Sequence, residues 1–363
     1  MAIGMLPQIN GLRAGMLRFG GGVWQVFYDL AIGGFAIALG IFPFAFAPAA
    51  RAEPLQRVTM AMPSEGLPYT LSYIADAKGL WAKHGLDLHE VLIAGIGATN
   101  AVIAGSVEVS HASGASLTRA AARGQKLLAI VAVLDRSSVE IVLRKDVAAA
   151  AHFDPKASLA ERAKVLNGRT IAIDAINSID DIFLRVIAKR GGLGPDAVRL
   201  AVLKADNALA AISTNQIDGI AMSPPWPQSA MLANGAVLLA SGLDGDPPDY
   251  VPLTTTVVLT KPETCEKHRV ICEGIGQAMK EASQILHTQP AEAKTILAKR
   301  LPNMDPKLID VVVEKITKAT PTPLAVTAKA LENAERLNIE SGLLKPEEKL
   351  PSYDGLFTDA YVK

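Results

Sequence analysis

The segment SEGLPYTLSYIADAKGLWAKHGLDL, residues 64–88, decides the reading of the chain. Just before it, VTMAM (58–62) has the apolar, β-branched pattern of a strand, which Ser64-Glu65-Gly66 interrupts with turn residues. Pro68 suits the first turn of a following helix, where an N–H would have no intrahelical partner. Leu71, Ile74 and Ala75 give that helix an apolar stripe at three/four spacing. Gly79 and Gly85 suit the ends of helical turns, and LDLHEVLI (86–93) begins a second strand. Strand, turn, helix, strand is the βαβ unit of a parallel sheet.

The same order repeats outward. Gly95–Thr99 opens a short helix, VEVSHAS (107–113) reads as a strand, Gly114-Ala-Ser116 opens the next helix, and KLLAIVAV (126–133) is a further strand. EIVLRKDV (140–147) and RTIAIDA (169–175) read as strands, the latter followed by the turn Ile176-Asn177-Ser178 and a helix to Arg190. VRLAVL (198–203), IDGIAMS (217–223), AVLLASG (236–242) and TTTVVLTK (254–261) complete the strands, with Pro224-Pro225-Trp226 as one more turn. From Pro262 onward the pattern is helical, over 262–287, 290–300, 306–319 and 324–341. In open parallel sheets the ligand crevice lies outside the carboxyl ends of the strands, where these turns fall. Helix starts there offer backbone N–H groups. The G-x-G-A at 95–98 lacks the full dinucleotide fingerprint, and no acidic residue ends the next strand.

A chain of 363 residues exceeds one ordinary core, so two lobes are expected. Its 36 basic and 36 acidic residues give no basic excess to suggest nucleic acid. Arg13 and Arg18, the apolar run Leu30–Ala47 and Ala50-Arg51-Ala52 form the pattern of an export signal, so residues 1–52 are expected to be removed by cleavage near Ala52. An uncleaved anchor is the alternative, against which Pro43, Pro48 and the Ala-rich end argue. No Cys lies near the cleavage point, so a lipoprotein is not expected. The only cysteines, Cys265 and Cys272, would stand ~10 Å apart on one helix, beyond the ~7 Å reach of a disulfide. Two buried or partly buried thiols are therefore expected, and no metal-ligand spacing is present.

The residues Tyr73-Ile-Ala75, Lys78-Gly-Leu-Trp81 and Lys83-His-Gly-Leu-Asp-Leu88 give the chain its family likeness. It resembles the periplasmic solute-binding proteins of ABC importers for nitrate, sulfonates, taurine and the pyrimidine precursor of thiamine, from about residue 50 almost to its end. The resemblance implies a type II periplasmic binding protein fold, two α/β lobes joined by a hinge with a ligand cleft between them. Residues 53–142 plus 254–363 would form the first lobe, with C-terminal helices packed on it, and 143–253 the second. It implies a monomer in the periplasm that binds a small organic solute (sulfonate, carboxylate or pyrimidine-like), needs no cofactor, and delivers its load to a permease and ATPase at the inner membrane. A periplasmic sensor is one alternative. The other is an enzyme on the same fold acting on a small heterocycle or sulfur compound, but no catalytic motif or turn-borne Cys supports it.

The expected contact residues sit in the turns. They are Glu65, Gly66 and Tyr69; Gly97, Ala98 and Thr99; Ser113, Gly114 and Ser116; Asn177 and Ser178; and Ser223 with Trp226. Arg136, near the hinge, suits a carboxylate or sulfonate, or else a salt bridge to Asp135 or Glu140. Trp226, held after two prolines, suits stacking on a planar ligand, covering the closed cleft, or packing between lobes. Glu65 is either a ligand contact or a turn carboxylate. Glu65, Asp135, Asp180 and Asp181 add acidity, a mixture that suits a larger planar or zwitterionic ligand better than nitrate. His111, two residues before Ser113, is read as a satisfied interior histidine, with a cleft-facing side chain as the alternative, and Trp81 as core.

Overall fold

The computed structural model describes residues 54–302 and 304–363. The expected export signal and its cleavage point lie outside the described residues. In chain order the strands are β1 Gln56–Met62, β2 Leu86–Leu92, β3 Val109–Ala112, β4 Leu128–Leu134, β5 Glu140–Leu143 and β6 Thr170–Ile173. They continue with β7 Arg199–Val202, β8 Gly219–Met222, β9 Val237–Ser241 and β10 Thr256–Thr260. Two five-stranded sheets result, ordered β2-β1-β3-β10-β4 and β7-β6-β8-β5-β9. β1 pairs in parallel with β2 and β3, as β6 does with β7 and β8. β10 and β5, the strands next to the crossings, run antiparallel to both of their neighbours.

Period-two alternation assigns each strand residue to a face. In β1, Val58, Met60 and Met62 enter one core while Ala61 enters the core on the other side. In the second sheet Ile141, Leu143, Ile171 and Ile173 face one core, and Val142, Ala172, Ile220 and Met222 the other. Burial on both faces explains why these strands read as nearly unbroken apolar runs. The helix Thr70–Ala77 buries Leu71, Ile74 and Ala75 as its stripe requires, and Trp81 is core.

The helices Arg269–Thr288, Pro290–Arg300 and Pro306–Ala319 pack on the first sheet through Ile275, Met279, Leu297, Val312 and Ile316. The last helix, Ala328–Glu340, starts at the Thr327 cap rather than at residue 324. It serves both lobes: Leu331 enters a first-lobe core, while Ala334 and Leu337 pack on Ile182 and Val186 of the helix Ile179–Arg190.

Three further expectations are corrected. The strand expected over 140–147 stops at Leu143, because Lys145–Ala150, with three successive alanines, turns helical. Cys265 and Cys272 form a disulfide rather than two thiols. The expected single helix is two, Pro262–Lys267 and Arg269–Thr288, broken at His268 with φ −129° and ψ 59°. That break brings the two Cα atoms to 5.4 Å, within bridging distance.

Candidate functional site: the cleft between the sheets

The turns after β1, β2 and β3 and those after β6 and β8 border one cleft, so the carboxyl ends of strands from both sheets meet there. An inner chamber of about 50 Å³ adjoins an outer one of about 330 Å³. Pro63, Ser64, Asp174, Asp180 and Ser223 belong to the walls of both. Segments next to the crossings complete the inner wall with Ser138, Thr255 and Thr256.

Hydroxyls dominate the inner chamber, and several already pair with one another. Ser64 Oγ lies 3.0 Å from the Tyr69 hydroxyl, Ser138 Oγ 2.8 Å from Ser223 Oγ, and Ser113 Oγ 2.9 Å from Ser116 Oγ. The helix starts are capped from within: Ser116 N–H donates to Ser113 Oγ at 3.0 Å, and Asp181 N–H to Ser178 Oγ at 3.4 Å. Such caps use up donors that a bound anion would otherwise take. Beneath the chamber His111 is wholly buried, with Nε2 2.7 Å from Ser72 Oγ and Nδ1 unpartnered, and its ring centroid is 5.0 Å from that of Tyr69. Burial drives its pKa down to about 3, so the ring is neutral. Burial also pushes the Tyr69 hydroxyl far up, keeping it protonated.

The acidic groups are the distinctive part of the wall. Burial raises Asp174 and Asp180 above the ordinary carboxylate value, and for Asp180 the nearby charge of Asp174 adds to the effect. Asp174 Oδ1 is buried with no hydrogen-bond partner among the described residues, although the carboxyl itself hydrogen-bonds with Ser178 and Asp180.

Contacts across the cleft hold the lobes together. Leu67 N–H donates to Pro224 C=O at 2.9 Å, and Trp226 Nε1–H to Glu65 C=O at 3.3 Å. Gly66 has φ 149°, and a Cβ there would lie 3.0 Å from Pro224 O. Gly95 has φ 55°, and a Cβ there would lie 2.7 Å from the Ala175 Cβ. On another side Arg119 donates to Asn338 Oδ1 at 2.6 Å and to Asn177 C=O at 2.9 Å.

Of the residues expected from sequence, Tyr69, Thr99, Ser113, Ser116, Ser178 and Ser223 border the inner chamber. Glu65 and Trp226 border the outer one. Gly66 belongs to the contact with Pro224. Gly97, Ala98, Gly114, Arg136 and Asn177 are not among the wall residues of either chamber. Gly97 packs toward Ile93, Ala98 is core, and Gly114 N–H is held by Thr254 C=O at 2.9 Å. Arg136 Nε donates to Asp135 Oδ1 at 2.9 Å, and Asn177 N–H to Asp181 Oδ2 at 2.8 Å. Ser64 lies in the expected turn Ser64–Gly66, while sequence reasoning missed Ser138, Asp174, Thr255 and Thr256. Asp174 alone carried a signal, as an acid standing at a strand end.

The family model described as NMT1/THI5 like matches residues 68–293. No curated protein matches the chain by sequence. Among solved structures, a protein of Bordetella bronchiseptica RB50 is 18% identical with a TM-score of 0.70, over 84% of this chain and 95% of that one. The alkanesulfonate-binding protein SsuA from Xanthomonas axonopodis pv. citri, bound to MOPS, is 20% identical with a TM-score of 0.65, over 85% of this chain and 100% of that one. The periplasmic nitrate-binding protein NrtA from Synechocystis PCC 6803 is 16% identical with a TM-score of 0.56, over 72% and 69%. The fold is that of the type II periplasmic binding proteins, with two α/β lobes and a cleft between them.

Proposed function

Since the chain belongs to the NMT1/THI5-like family, we propose that it is the periplasmic solute-binding component of an ABC importer. The observation that carries this reading is the cleft itself, a small polar cavity walled by strand-end turns of both lobes and closed by contacts between them. Such a site encloses a small solute and releases it when the lobes part. The crossings at 135–139 and 242–255 serve as the hinge. A permease and its ATPase receive the solute, and the chain works as a monomer without chemistry of its own.

Two further features support this. The Cys265–Cys272 disulfide suits an oxidising compartment such as the periplasm, and it leaves neither cysteine as a thiol nucleophile. His111 is buried and neutral, unlike a base held at the cleft surface.

Native mass spectrometry of the protein taken from its own periplasm tests the proposal. One small solute should travel with the chain and leave on unfolding. Protein that carries no solute, and takes none up from periplasmic extract, would overturn it.

A further inference from the structure

We infer that the cleft takes a solute with a positively charged nitrogen, an amidinium or a protonated amine, docked against Asp174 and Asp180 where the two chambers join. The inference rests on the solute-binding reading above and adds the charge of the solute to it.

The placement of the two carboxyls comes first. Asp174 directly follows β6, and Asp180 lies in the first turn of the helix Ile179–Arg190; both border the inner and the outer chamber. Asp180 is only 4% exposed, and Asp174 keeps a buried Oδ1 without a partner. A first-turn acid can simply complement a helix start, but Asp181 already does so. It accepts Asn177 N–H at 2.8 Å and pairs with Arg185 at 2.6 Å. Asp180 is left on the cavity wall, its carboxyl hydrogen-bonded to that of Asp174.

The inner chamber supplies no counter-charge, and the nearest cations, Lys204 and Arg300, stand on the outer wall and in the pocket beside it. No residue of the inner wall is Lys, Arg or His. Over both chambers the charged wall residues are Glu65, Asp174, Asp180 and Asp206 against the single Lys204. The arginines nearest in sequence to the wall residues are engaged elsewhere, Arg136 by Asp135 and Arg119 by Asn338 and Asn177. An oxyanion would find hydroxyls on the inner wall but no positive charge to neutralise it there. An anion in this enclosed site would meet like charge at low dielectric, whereas a cation with N–H donors would satisfy the orphaned Oδ1. The raised carboxyls fit the same picture, since they are the groups that a bound cation would return to the ionised form.

The test uses the full chain and four probes. Acetamidinium, acetamide and acetate share a shape and differ in charge, and methanesulfonate is a second anion. The thermal midpoint should rise with acetamidinium at tens of millimolar, by more than with acetamide, and should not rise with either anion. Asp174→Asn and Asp180→Asn should each weaken the acetamidinium effect, and together abolish it. Each variant should keep a solute-free midpoint at or above wild type, because relieving a buried acid pair does not weaken the fold. A rise with methanesulfonate or acetate, or none with acetamidinium, overturns the inference. So does an acetamidinium rise that survives in the double variant. The solute-binding reading is judged separately, by the retained solute: an anion found there would sink this inference and leave that reading standing.

Discussion

Ser178 shows how a cleft residue can have two duties. Its Oγ accepts from Asp181 N–H and caps the helix Ile179–Arg190, while the residue also borders the inner chamber. Ser178→Ala should therefore lower unfolding stability by about 1 kcal/mol even without solute, measured by urea denaturation. Ser113→Ala should do the same for the helix Gly114–Ala122. The acid pair makes a pH-dependent contribution whose sign follows from its shift. Both carboxyls are raised from an ordinary 3.8, so the folded chain keeps protons that the unfolded chain releases. Their contribution is complete below about pH 4 and is lost as pH rises through the folded values. Around them stand Tyr69, protonated throughout, Asp181 paired with Arg185, and Lys204, Asp206 and Glu65 on the outer wall. Asp180→Asn should thus be more stable than wild type at pH 7, with the gap closing toward pH 4. A gap that widens toward pH 4 would contradict this assignment. The serines were legible in the sequence as turn residues at helix starts. Asp174 was visible as an acid after a strand, but its desolvation comes from burial that only the folded chain creates, as does the approach that lets its charge raise Asp180. Arg136 adopts the alternative that the sequence already offered, a salt bridge to Asp135 beside it.

At the scale of elements, the turns that close the cleft are as specific as its walls. Gly95 sits at φ 55° with Ala175 across the gap, so Gly95→Ala both strains the backbone and pushes a methyl into the opposing lobe. It should weaken solute binding while leaving the two sheets intact, so circular dichroism should be unchanged and calorimetric affinity reduced. The disulfide spans a sequence separation of 7, and its removal in Cys265→Ser/Cys272→Ser should cost about 2.5 kcal/mol on the loop-entropy account. The βαβ reading of residues 58–93 held because a two-residue period, a three/four stripe and a turn follow one another there without conflict. The C-terminal break at His268 was illegible because CEKHRVIC contains neither Gly nor Pro to mark it. The short β5 was over-extended for a similar reason, since Arg144-Lys145-Asp146-Val147 suits either state and packing decides.

For the whole molecule, the described contacts belong to a closed arrangement. Leu67 to Pro224, Trp226 to Glu65 and Arg119 to Asn177 all join opposite lobes, the last from the helix Gly114–Ala122. These three are hydrogen bonds; an apolar cluster of Ala334 and Leu337 with Ile182 and Val186 and the ion pair of Arg190 with Glu340 add to them away from the cleft. The helix Ala328–Glu340 lies against both lobes through Leu331 and Leu337, which sets it beside the hinge rather than across the mouth, where Trp226 stands. The central claim is that the chain closes on a small solute, and small-angle scattering reads closure directly. Protein stripped of its retained solute by unfolding and refolding should have a larger radius of gyration than the same protein after the recovered solute is returned. Identical scattering curves with and without solute, at concentrations where calorimetry shows saturation, would contradict the claim.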